Sequence, residues 1–157
     1  IVRALEVIEI TGRPFSASLP RYEDVVPTVH IALRCERRLL DLRINARARA
    51  MFERGLVEEV ETLVDQGIRE GETAPRAIGY AQALAVIDGT MSVPEAVDST
   101  ALATRQLASR QIKWFRRDPR VRWIDVELTE DGRCTDAERS RVTRQARELV
   151  LAVDGVA

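Results

Sequence analysis

Between Thr104 and Arg117 the chain carries five cationic side chains, Arg105, Arg110, Lys113, Arg116 and Arg117, and no acid. Wound as a helix at about 3.6 residues per turn, the stretch sorts into two faces. Thr104, Ala108, Ile112 and Phe115 fall on one, flanked by Leu107, Gln111 and Trp114. Arg105, Ser109, Arg110, Lys113, Arg116 and Arg117 fall on the other. A solvated helix usually interleaves Glu with Lys or Arg at i,i+4, because like charges at that spacing repel. The chain as a whole is formally at −1, so the cluster is local segregation. Such a cluster points to a polyanion such as a phosphate backbone. The plain alternative is a solvated charged surface.

Two further groups have chemistry-bearing spacing. Arg43 and Arg47 stand at i,i+4, with Arg54 continuing the line. Their repulsion costs a few tenths of a kcal/mol unless an anion sits between them; two solvated arginines is the equal alternative. In Thr73–Asp88, Arg76 falls in the expected first turn and opposes the helix dipole, an anion site in outline. Gly79 inside the pattern costs about 1 kcal/mol against Ala, so something is expected to approach its backbone closely. Ile78, Tyr80 and Gln82 flank it. A helix with a frayed start is the alternative there. Cys35 and Cys134 have no CxxC spacing and His30 has no ligand partner nearby, so no metal site is expected.

The elements that must position these residues follow from periodicity. Val2, Leu5 and Ile8 give a helix stopped by Gly12 and Pro14. Residues 13–27 hold three prolines and read as a connector. Thr28–Leu33 (TVHIAL) reads as a short buried strand. Glu36–Arg54 is a helix with Leu40, Ile44, Ala48 and Met51/Phe52 inward, and Leu56–Gln66 is a second, bracketed by Gly55 and Gly67. Thr73 and Pro75 open a helix to Asp88. Ser92 and Glu95 form a capping box for the long helix to Arg117, ended by Asp118-Pro119. Val121–Val126 reads as a strand. Asp131-Gly132 is a turn, and Thr135 and Glu138 repeat the capping box before a last helix to about Val153.

At 157 residues, 45% hydrophobic and 31% charged, the chain has the composition of an ordinary soluble domain. No apolar run approaches the ~20 residues that span a bilayer. Sparse cysteine fits a reducing cytoplasm. The chain opens at Ile1 in a helical pattern, without a signal-peptide region. It reads as an internal fragment whose N-terminal part is missing.

The run TRQLASRQIKWFRRDPRVRWID resembles the C-terminal signature of the tRNA dimethylallyltransferases, the tRNA isopentenyltransferases. Those carry a T-R-Q-x-A-[KR]-R-Q-x-x-W-[FL]-R helix followed by a strand ending W-[IL]-D. IVRALEVIEITG, LLDLRINARARAMFERGLVEEV and PRAIGYAQAL resemble further segments of the same family, in the same order. Ser109 departs from the family's frequent Lys or Arg at that position, and Arg49 from a usually acidic or neutral one.

The resemblance implies transfer of a dimethylallyl group from dimethylallyl diphosphate to N6 of adenosine 37, next to the tRNA anticodon. It implies an α/β fold, mostly helical in this fragment. Two short strands and about six helices would belong to a P-loop NTPase-like core and the end of a helical insertion domain. Residues 1–27 would be the insertion's end and connector, 28–126 the C-terminal part of the core, and 127–157 a helical tail. The P-loop and the general-base Asp lie upstream, so no catalytic residue is expected in this stretch, which alone would be inactive. Mg²⁺ would be bound mainly by the missing part. Arg43 and Arg47 would serve the diphosphate. Val2, Arg3, Arg76, Ile78, Gly79, Tyr80, Gln82, Arg105, Arg110, Gln111, Lys113 and Arg117 would contact the tRNA anticodon stem-loop. A cytoplasmic monomer without membrane contact is expected. The rival readings are an adenylate isopentenyltransferase acting on free nucleotide and a non-catalytic helical RNA-binding module.

Overall fold

The computed structural model describes the backbone of residues 2–14 and 22–154, and side chains within 4–14 and 22–152. Six helices and two strands are seen among them: α1 (Val2–Thr11), β1 (His30–Arg34), α2 (Arg37–Glu53), α3 (Leu56–Asp65), α4 (Tyr80–Ile87), α5 (Val93–Phe115), β2 (Val121–Asp125) and α6 (Asp136–Asp154). No helix among the described residues is long and apolar enough to cross a membrane.

β1 and β2 pair in parallel, in register from His30–Val121 to Arg34–Asp125. A parallel pair needs a crossover, because a tight turn can only return the chain antiparallel. Here α2 to α5 make that crossover. Arg34 and Asp125 end the ladder as a two-point ion pair, with Nη2 2.9 Å from Oδ2. Val126 N–H then donates to Arg34 O at 2.8 Å.

Two small cores hold the helices. Ile44, Ala48 and Ala101 form the core between α2 and α5. Ala48 and Ala101 are both 3% exposed. With only a methyl each, they let the two backbones approach closely, which fixes the gap in which longer side chains further along must fit. Phe52, Leu56, Val60, Ala83, Leu84 and Ala96 form the second core, joining α2, α3, α4 and α5. Val60 is fully buried, worth about 1.5–3 kcal/mol relative to exposure.

β1 is not the buried strand expected: none of its residues is buried, and Leu33 is 58% exposed. Two further expectations change. Thr73–Asp88 is not one helix. A single 3-10 turn, Ala74–Arg76, is followed by extended Ala77, and α4 starts only at Tyr80. Gly79 precedes it at φ +99°, a backbone that residues with a side chain rarely adopt. A Cβ there would stand 3.2 Å from Met51 Cε and 3.6 Å from Leu56 Cδ2. The close approach to the Gly79 backbone is thus made by α2 and α3. Arg76 accordingly lies before the helix and not in its first turn.

The second change concerns Glu138. Thr135 does cap α6, its Oγ1 accepting from Glu138 N–H at 3.1 Å. The Glu138 carboxylate does not complete the box. It accepts from Glu127 N–H at 2.8 Å and pairs with Arg141, tying α6 to the segment that leaves β2. At α5 the box is complete: Ser92 N–H donates to Glu95 Oε2 at 2.8 Å and Glu95 N–H to Ser92 Oγ at 3.5 Å.

Candidate functional site

Alongside the small-residue contact, with Ala48 at its floor, α2 and α5 border a groove of about 430 Å³. Leu40, Arg43, Ile44, Arg47 and Met51 line its α2 wall, and Thr100, Thr104, Leu107, Ala108 and Gln111 its α5 wall, with Ile78 alongside. A second cavity of about 800 Å³ adjoins it beneath the strands, sharing Leu40, Arg43, Ala108 and Gln111. The helical period that makes Arg43 and Arg47 neighbours on one face also turns that face toward α5. Arg43 therefore borders both spaces.

The ion pairs of the described residues divide the cations into two sets. Arg34, Arg37, Arg38, Arg69, Arg120, Arg133, Arg139 and Arg141 have acidic partners. Arg43, Arg47, Arg76, Arg105, Arg110, Lys113 and Arg117 have none among the described residues, and neither do Arg13, Arg49, Arg54, Arg116, Arg122, Arg144 and Arg147. Arg110 and Lys113 are exposed on α5, which ends at Phe115, and Arg117 is exposed in the turn just past it. No acid lines the groove, so Arg43 and Arg47 bring uncompensated positive charge to it.

Other candidates are already engaged by the protein. Arg105 is half-buried and donates to Asn45 of α2. Gln82 accepts from Gly79 N–H at 2.8 Å and donates to Ser99 Oγ at 3.4 Å, so its amide caps α4 and joins it to α5. Tyr80 packs its ring against the second core while its hydroxyl donates to Glu59, whose carboxylate raises the phenol pKa. Arg76 is exposed, and Ile78 is 36% exposed at the groove. The Val2 and Arg3 side chains lie outside the described residues.

Three groups in or beside these two cavities carry no sequence signal. Thr100, 2% exposed, has an Oγ1 without a hydrogen-bond partner among the described residues. Gly132 approaches α2 at Arg43 from 89 residues away. Cys35 and Cys134 both line the larger cavity. Burial pushes the Cys35 thiol up from its ordinary value, and the Arg43 charge pulls against that. No distance pattern along the chain announces these meetings; they exist only because the crossover brings the pieces together.

Known proteins resemble this chain in sequence and in fold. A model of the IPP transferase family matches residues 1–118. The tRNA dimethylallyltransferase of Streptomyces coelicolor is 49% identical over 150 residues, covering 96% of this chain and 46% of that protein. That of Pseudarthrobacter chlorophenolicus is 53% identical over 125 residues, covering 80% and 42%. Among solved structures, the tRNA isopentenylpyrophosphate transferase of Bacillus halodurans superposes with a TM-score of 0.69 at 30% identity. The match covers 99% of this chain and 46% of that one. The chain thus spans less than half the length of these relatives. With the family model reaching from the first helix through α5, the chain belongs to the IPP transferase family.

Proposed function

We propose that the intact protein transfers a dimethylallyl group from dimethylallyl diphosphate to N6 of adenosine 37, beside the tRNA anticodon. The observation that carries this reading is the α2–α5 groove, with unpaired Arg43 and Arg47 on one wall and Gln111 on the other. Its outer continuation is the acid-free face of Arg110, Lys113 and Arg117. One helix thus borders the small-molecule space and the polyanion face together.

In the reaction an N–C bond forms between the adenine amine and the allylic carbon, and the C–O bond to diphosphate breaks. The electron pair leaves with diphosphate and the amine proton goes to a base. Charge builds on the leaving group, so fixed cations at that point lower the barrier. Arg43 and Arg47 have that role in this reading. The adenine must leave its stack to reach the allylic carbon. Arg110, Lys113 and Arg117 hold the stem-loop phosphates, which sets position without reading sequence. Arg76, Ile78, Gly79, Tyr80, Gln82, Arg105, Gln111, Val2 and Arg3 complete the tRNA side, several as supports of the backbone that faces it. The P-loop and general base belong to an upstream segment. Residues 28–126 are then part of a P-loop NTPase-like core, 1–27 the end of an insertion domain, and 127–157 a tail. The protein acts as a cytoplasmic monomer.

The family resemblance brings Mg²⁺ to the diphosphate. Among the described residues no three His, Cys, Asp or Glu side chains group together. The groove offers cations, hydroxyls and an amide, which do not fit a divalent cation, so no step is assigned to the ion.

Two variants of the intact enzyme test the reading. Arg43→Ala and Arg47→Ala should each lower kcat/KM for dimethylallyl diphosphate by about one to two decades, the worth of a charge-assisted hydrogen bond. Unchanged kinetics in both would return these arginines to plain solvated surface. Prenyl transfer to free adenylate in place of tRNA would favour the adenylate isopentenyltransferase reading. Binding of the stem-loop with no transfer by the intact protein would favour the RNA-binding module.

A further inference from the structure

We infer that the turn Thr129–Arg133, in the tail beyond the family match, is a positioning element that aims the Arg43 guanidinium into the groove. The inference rests on the reading of Arg43 given above. Gly132 is the contact. Its carbonyl accepts from Arg43 Nη1 at 3.4 Å. Its backbone lies against the Arg43 turn of α2, where a Cβ would stand 2.9 Å from Leu39 O and 3.1 Å from Arg43 N. Those are backbone atoms of a packed helix and cannot swing aside as a side-chain tip can. The φ of +78° independently favours glycine. One guanidinium N–H held by a fixed carbonyl leaves the remaining donors directed outward.

The turn is built to hold that carbonyl still. Gly132 N–H donates to Thr129 O at 2.7 Å, and Thr129 N–H to Arg133 O at 2.9 Å. Thr129 Oγ1 accepts from Arg133 N–H at 3.0 Å and also bonds Asp131. Behind the turn, α6 is anchored by Glu138 to Glu127 N–H and by Arg141 to Asp125 O at 2.5 Å. Hydrogen bonds thus fix the tail's α6 to the end of β2, close the turn on itself, and join the turn to Arg43. An arginine has four rotatable side-chain bonds, so restraining its head before substrate arrives removes an ordering cost from binding.

The experiment uses the full-length enzyme with steady-state kinetics for each substrate and a thermal melt for folding. Gly132→Ala should raise KM for dimethylallyl diphosphate at least about threefold, leave KM for tRNA unchanged, and add nothing in an Arg43→Ala background. Thr129→Val loosens the turn without adding atoms and should move the same constant in the same direction; Thr129→Ser, which keeps the hydroxyl, should restore it. If Gly132→Ala does not fold, the Thr129 pair decides alone. Additive losses of Gly132→Ala and Arg43→Ala would overturn the inference, as would equal rises in both KM values or normal kinetics in Thr129→Val. If Arg43→Ala itself leaves dimethylallyl diphosphate kinetics unchanged, the reading of Arg43 fails first, and the positioning role with it.

Discussion

Arg37 of α2 donates through Nη1 to Ser109 Oγ of α5 at 2.7 Å. The serine hydroxyl in turn donates to Arg105 O at 3.0 Å, and Arg105 reaches back to Asn45. Arg37 also pairs with Asp41 one turn along, at 2.9 Å. These bonds lace the outer edge of the α2–α5 contact, opposite the apolar seam of Ala48 and Ala101. A Lys or Arg at 109 could not accept from Arg37, so the serine here puts a cation from α2 beside α5.

Removing that acceptor should loosen the pair without touching the core. Ser109→Ala should lower stability by roughly 1 kcal/mol, the usual net worth of one hydrogen bond. Ser109→Arg should lower it as well, because two guanidinium groups then compete for one place. Thermal melts of the two variants check this, and a Ser109→Arg variant as stable as wild type would show that the Arg37 contact contributes nothing.

The cations on and just past α5 and the aromatic ring on α4 should respond differently to salt. Each phosphate neutralised releases counterions, so Arg110→Ala or Arg117→Ala should weaken stem-loop binding and shrink the log–log salt slope by somewhat less than ~1. Tyr80→Ala should weaken binding with the slope unchanged. Tyr80→Phe keeps the ring and loses only the hydrogen bond to Glu59, so it separates a ring that touches RNA from a hydroxyl that positions α4. Anisotropy titrations of an anticodon stem-loop across a salt series give all four slopes; equal slopes throughout would place the basic face in solvent.

The Glu138 anchor sets an acid limit on the tail. Arg141 and the Glu127 N–H hold its carboxyl at about 2, against an ordinary 4.5. A depressed folded pKa contributes stability above the unfolded value that is lost as pH falls through the folded one. Glu138→Gln should therefore melt earlier than wild type at pH 7. That gap should hold down to about pH 4.5 and close as pH approaches 2. A gap that stays constant over this window would mean that the charge of Glu138 is not what ties α6 to β2.

Much of this was written locally. The apolar spacing of Leu40, Ile44 and Ala48 fixes which side of α2 is buried, because a helix side chain's direction depends only on its place in the turn. That also puts Arg43 and Arg47 on one face. Ser92 and Glu95 start α5, and the lack of acid from Thr104 to Arg117 marks its outer face, for the same local reason. The residues quoted for the family resemblance are matched through α5. What the sequence left open depended on atoms distant along the chain. Gly79 fits a helix interior or a break by local propensity; in the fold it stands at φ +99° with Met51 and Leu56 against it, a contact that the local sequence does not contain. Glu138 had the spacing of a capping box, and Glu127 N–H and Arg141, eleven residues before it and one turn after it, drew its carboxylate elsewhere as charge-assisted donors. Gly132 looked like an ordinary turn glycine, and only the crossover that lays β2 beside β1 brings it against Arg43. Local geometry sets which way a side chain points; packing alone sets what it meets.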